Sequence, residues 1–280
     1  MPFRIVYSPG ANSLSVTFKT HLNYIKCMAR LTDGLAINTN IVANSVLDTA
    51  IFAKFEKLSE ITKISINGEK DACDREKAYA QVASPWIPVK CYYRLYYLES
   101  VFLYLLNNSR VGFSKGGHTK VRKSIKDHLK NQEISFSGTY STDLATIIDW
   151  GTASNFVARV GSTISANYHS TTACSDSVRK KLAEYIEIDW KQDNHISNYR
   201  TLAARVKKAS ELMPNEFSLI DYFYWMRIKA NYRDVDFLDF ENNVNEADAY
   251  EYLTYYIKAA DQYAIALVAV ISQIKRSRGM

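Results

Sequence analysis

Ten glycines and five prolines in 280 residues are the strongest constraint on how this chain folds. That is roughly 5% of the residues, against roughly 12% in average usage. A sandwich or barrel of many short strands needs frequent tight turns, and this sequence lacks the punctuation for them. Long helices joined by few loops remain. Twenty Tyr, 12 Phe and 4 Trp exclude a disordered chain. The excess of Tyr over Phe means that much aromatic surface carries a hydroxyl in need of a partner.

Hydrophobic spacing locates the helices. Val46, Leu47, Ala50, Ile51, Phe55 and Leu58 recur at three- and four-residue steps, with Asn67-Gly68 as a stop. A second unit spans about 76–107. It is broken near Ser84-Pro85, with Pro88 suited to the first turn of its second piece. The stretch Cys91–Leu106 is apolar nearly all round, the mark of a helix at the centre of a bundle. Further helices are expected over 118–130, 143–160, 177–190, 197–212, 216–230 and 245–276. Residues 1–40 read as a mixed segment with a small hairpin built from Arg4–Tyr7 and Ser13–Phe18. The helical domain then covers 41–280, and 131–195 reads as an insertion in it. Cys27, Cys73, Cys91 and Cys174 are scattered, which predicts reduced thiols, a cytoplasmic setting and no zinc site. The apolar run Ala264–Ile271 is shorter than the roughly 18–20 residues of a membrane span, and no signal peptide is read at the N-terminus.

The formal charge of +6 is mild, but it is segregated. Arg110, Lys115, Lys120, Arg122, Lys123, Lys126 and Lys130 face Asp127 as their only acid, so this span alone carries the whole excess. Acids dominate from Asp234 to Asp261. The basic span is either a phosphate-binding surface or a solvated helix face paired with the acidic segment.

Phosphate-loop, dinucleotide, serine-hydrolase, zinc-protease and EF-hand signatures are absent from the sequence. Of five histidines, His118 and His128 flank the basic helix. Arg122 and His128 have an Arg-x5-His spacing. Six residues turn a helix by about 600°, so their side chains diverge by roughly 120°. Arg227, Lys229 and Arg233 on a helix rim could contact phosphate or pair with Asp234 and Asp236. Tyr92, Tyr93, Tyr96 and Tyr97 could stack bases or pack in the core.

Three segments together resemble the HEPN superfamily. They are the tyrosine-rich helix Tyr92–Leu106, the histidine-led basic helix Gly117–Leu129, and Met226–Asp234 followed by Val244–Glu251. The resemblance implies a mainly α, up-and-down helical bundle, often dimeric. Many members are metal-independent ribonucleases of toxin–antitoxin or phage-defence systems. In them an Arg-x(4–6)-His motif places both side chains at a dimer cleft, the histidine moving the ribose proton and the arginine holding phosphate. Transferred here, Arg122, His128 and His118 become the catalytic candidates. Arg110, Lys115, Lys120, Lys123, Lys126, Arg227 and Arg233 become the nucleic-acid contacts. No metal or cofactor is implied. The expected partners are RNA, a second copy or an operon-encoded protein, with no membrane. After Arg227 this sequence has Tyr232 and Arg233 rather than histidine. There it is more similar to branches that lack the motif and act as adaptors for a nucleotidyltransferase or another enzyme.

Overall fold

A computed structural model describes residues 12–40, 48–157, 171–230 and 244–280. The chain is a mainly α-helical, multi-helix bundle with short strand pairs at its rim. Its centre is α4 (Ile87–Asn107), as the all-round apolar pattern predicts. Val101 through Leu106 are completely buried. Pro88 occupies the first turn, where its missing N–H costs no helical bond. Helix α4 packs against α2 (Thr49–Arg75) and α11 (Glu246–Ser277), and α1 (Asn12–Leu31) packs on α11 and α8 (Thr171–Asp193).

The start of α2 is fixed twice. The Asp48 side chain accepts from Ala50 N at 3.0 Å, and Asp48 N donates to the Tyr104 hydroxyl of α4, also at 3.0 Å. The second unit splits as expected into α3 (Tyr79–Ala83) and α4. By length and composition α11 could cross a membrane, with mean hydropathy 1.3 over its best 18-residue window. More than half of that window, 56%, is buried against other helices.

Several elements depart from the sequence reading. Ser13–Phe18 lies within α1, so the second arm of the expected hairpin is helical; the first arm, Arg4–Tyr7, lies outside the described residues. The N-terminal strand is instead β1 (Ala36–Thr39). It pairs antiparallel with β2 (Ile134–Ser137), which follows α5 (Gly117–Lys130). Helix α2 runs through Asn67-Gly68 to Arg75, because Ile66 and Cys73 are buried on one face across that point. Packing of that face outweighs the roughly 1 kcal/mol that a mid-helix glycine costs.

The helix expected over 143–160 is α6 (Ser141–Ala145), then β3 (Ile148–Asp149), then α7 (Trp150–Val157). Asp149 starts the new helix by accepting from Thr152 N and Thr152 Oγ1, both at 2.7 Å. The helix expected over 197–212 becomes α9 (Leu202–Lys207) and a wider π turn, Lys208–Leu212. The helix expected from Glu216 begins only at Tyr222. First come β4 (Glu216–Phe217), paired with β3, and a 3-10 turn Leu219–Asp221; then α10 (Tyr222–Ile228).

The loop after α4 is clamped to it. The Tyr96 hydroxyl donates to the Gly112 carbonyl at 2.6 Å. A Cβ on Gly112 would lie 2.2 Å from Ser100 Oγ and 2.5 Å from Ser100 Cβ. Nothing lies within 4 Å of a Cβ on the helical Gly68. Two glycine substitutions therefore move stability in opposite directions. Gly112→Ala is expected to destabilise by about 1–3 kcal/mol through overpacking. Gly68→Ala is expected to stabilise by about 0.5–1 kcal/mol. Urea unfolding of both variants checks this; equal signs would contradict the packing described.

Candidate functional site

The site grows from one buried carboxylate. Asp221 ends the 3-10 turn before α10, and its side chain is only 2% exposed. Its Oδ1 accepts from Arg122 Nε at 2.8 Å. Its Oδ2 accepts from Ser218 N at 3.1 Å and Lys126 Nζ at 3.3 Å. Burial alone would raise the Asp221 carboxyl, but Arg122 and Lys126 hold it below its ordinary value. Arg122 and Lys126 lie one helical turn apart on α5, so a single carboxylate grips both.

Arg122 is held over aromatic rings. Its Cζ lies 3.8 Å from the centre of the Tyr224 ring and 5.7 Å from that of Trp225. Arg227 sits on the other side of this cluster, 4.9 Å from the Tyr92 ring centre and 5.3 Å from Tyr224. Arg227 is 7% exposed and its Nε has no hydrogen-bond partner. Tyr92 shares a 2.9 Å hydrogen bond with His118 Nδ1, and the His118 ring lies 4.1 Å from Tyr96. Burial, then the nearby Arg227 charge, lowers His118 to about 4, so it is neutral at pH 7.

Beneath Arg122 is a narrow inner cavity lined by Tyr92, Glu99, Asp221 and Tyr263, among others. Glu99 of α4 accepts from the Tyr263 hydroxyl at 2.9 Å. Burial pushes the Glu99 carboxyl from 4.5 up to about 7, despite that bond, with Asp221 adding to the rise. Above Arg122 is a half-open groove of about 530 Å³ between α5 and α8, floored by Tyr224 and Trp225.

The sequence candidates divide among these surroundings. Arg122, His118 and Arg227 join one connected cluster through Tyr92 and Tyr224. His128 is engaged elsewhere. It is bonded to Asn107 Nδ2 at 3.1 Å and to Glu133, on the side of α5 facing the end of α4. The expected 120° divergence of Arg122 and His128 is thus expressed as two separate sets of partners. Lys126 also donates to the Glu216 carbonyl at 2.8 Å, and Lys130 pairs with the Glu216 carboxylate. Lys120 reaches Ser114 Oγ at 3.2 Å, and Arg110, Lys115, Lys120 and Lys123 are exposed. Arg233, Asp234 and Asp236 lie outside the described residues. Lys229 lies over the Tyr185 ring instead, at 5.4 Å.

Two described acids of the C-terminal segment pair with other helices: Glu251 with Lys26 at 2.6 Å, and Asp261 with Arg94. Asp221 holds Arg122 and Lys126, and Glu216 holds Lys130, while Lys120 and Lys123 of the basic helix stay exposed. Among the described residues no group of three or more His, Cys, Asp or Glu is arranged to hold a metal ion.

Sequence reasoning missed Asp221, Glu99, Tyr224 and Trp225. Ser218-Leu-Ile-Asp221 has the spacing of a capping box, and Glu99 is the one acid in the largely apolar helix that runs through Cys91–Leu106. Both signals were present. No family model, curated protein or solved structure matches the chain.

Glu99 makes a signed pH prediction. Between 4.5 and about 7 the folded state keeps a proton that the unfolded state has lost. This contribution to stability is full below the unfolded pKa and is lost as pH rises through the folded one. The stability of the wild type minus that of Glu99→Gln should fall by about 3 kcal/mol from pH ~4.5 to ~8. Chemical denaturation across that range measures it; a flat difference would show that Glu99 is not held protonated.

Proposed function

We propose that the chain is a HEPN-like RNA-binding protein of the toxin–antitoxin or defence kind, which holds single-stranded RNA without cutting it. One observation carries the reading. The three segments that bear the resemblance come together side chain on side chain, Tyr92 with His118 and Arg227 with Tyr92. Tyr93, Tyr97 and His118 are partly exposed at the edge of this cluster and offer faces for bases. Beside them Arg110, Lys115, Lys120 and Lys123 leave cations in solvent for phosphates.

Cleavage by the Arg122–His128 pair has less support. Arg122 is bound by Asp221, and His128 is bonded to Asn107 and Glu133. The adaptor reading draws on one feature, the exposed apolar residues Ile61 and Ile64 of α2 and Ile265 and Val268 of α11.

Anisotropy of a labelled single-stranded RNA tests the proposal. Binding should weaken steeply with salt. Replacing Lys120 and Lys123 together by Ala should weaken it across sequences and reduce the salt slope by about 1.4. The RNA should remain intact in EDTA, and His128→Ala should bind as the wild type does. No binding at low salt, with a stable protein partner co-purifying, would overturn the RNA reading in favour of an adaptor.

A further inference from the structure

We infer that the groove between α5 and α8 is a subsite for a guanine nucleotide, an inference that rests on the RNA reading and names the base it selects. The groove has two unlike walls. Arg122, Lys123 and Lys126 stand on the α5 side with one acid, Asp127, and Asp189 and Asp193 stand on the α8 side. Its volume of about 530 Å³ is in the range of small-ligand sites. A purely anionic ligand would meet the carboxylates, and a purely cationic one the bases. A ligand with a donor edge at one end and a phosphate at the other satisfies both walls.

The floor favours a flat ring. Asp221 and Tyr224 fix the Arg122 guanidinium at stacking distance, 2.8 Å from the carboxylate and 3.8 Å from the ring centre. A guanidinium held in this way offers a platform on which a base continues the stack without first ordering the side chain. Hydrogen bonding then chooses among the bases. Guanine alone presents two adjacent donors, N1–H and the N2 amino group, which one carboxylate can accept together. Adenine and cytosine offer one amino group beside a ring acceptor, and uracil offers one N–H between two carbonyls. Each of those sets a lone pair against the carboxylate. Lys123 is exposed on the opposite wall and has no ion pair among the described residues, so it is available to the phosphate.

The test compares labelled oligouridine with the same strand carrying one central guanine, adenine or cytosine. The single guanine should tighten binding by about tenfold, the scale of one bidentate base contact. Adenine and cytosine should not. Asp189→Asn with Asp193→Asn should abolish the guanine preference, while oligouridine stays bound and binds more tightly because two negative charges are removed. GMP should compete better than guanosine, and Lys123→Ala should remove that difference. Circular dichroism melts establish that the variants are folded, and Asp193→Asn alone, at an exposed position, serves if the double variant is not. Equal effects of the three bases, or a guanine preference that survives in a folded Asp variant, would overturn the inference. If oligouridine binds without any base preference, the subsite fails and the RNA reading stands. If no RNA binds, the RNA reading fails, and direct titration decides the subsite: GMP bound over AMP supports it, and no difference overturns it.

Discussion

A carboxylate buried at 2% exposure must be paid for by donors, and Asp221 finds three: Arg122, Lys126 and the Ser218 amide. Burying an ion without partners costs several kcal/mol. The demand for these donors fixes how α5 lies against the start of α10. It also explains why α10 begins at Tyr222 and not at Glu216. The Asp221 side chain bonds back to Ser218 N, which shapes a tight 3-10 turn before the helix. With α5 held there, Arg122 lies on Tyr224 and closes the inner cavity from the groove outside.

The same pair sorts the basic helix into two roles. The span that carries the entire net charge of the chain is not uniformly solvated. Arg122 and Lys126 are drawn inward and Lys130 pairs with Glu216, while Lys115, Lys120 and Lys123 remain exposed. The opposing acids do not answer it within the described residues: Glu251 and Asp261 serve α1 and α4. Charge segregation along the sequence therefore becomes a local ion-pair core on one side of α5 and a cationic surface on the other.

The helical architecture was legible because periodic burial over many residues is a strong signal, as in Cys91–Leu106 and the long C-terminal helix. Local stops were less legible. Asn67-Gly68 reads as a turn, yet a buried stripe through Ile66 and Cys73 outweighs the glycine penalty. The helix expected over 143–160 breaks because the Asp149 side chain satisfies the amide of a new helix start. Of the site, His118, Arg122 and Arg227 were visible as charged or titratable residues in suggestive segments. Their partners were not, because Asp221 and Glu99 lie 99 residues from Arg122 and 164 from Tyr263 along the chain. No spacing rule links such positions. His128 shows the converse: an Arg-x5-His spacing was legible, and the helix turned its two ends to different neighbours.

The central claim is that Asp221 and Arg122 form a coupled pair that orders the site, rather than two groups that happen to be close. A double-mutant cycle with Arg122→Met and Asp221→Asn, followed by urea unfolding, measures that coupling directly. Buried, hydrogen-bonded pairs lose about 3–5 kcal/mol when one partner is removed. Each single variant should therefore be strongly destabilised, and the double variant should recover much of that loss, with a coupling energy of about 2 kcal/mol or more. Losses that add, with coupling under about 0.5 kcal/mol, would contradict the account.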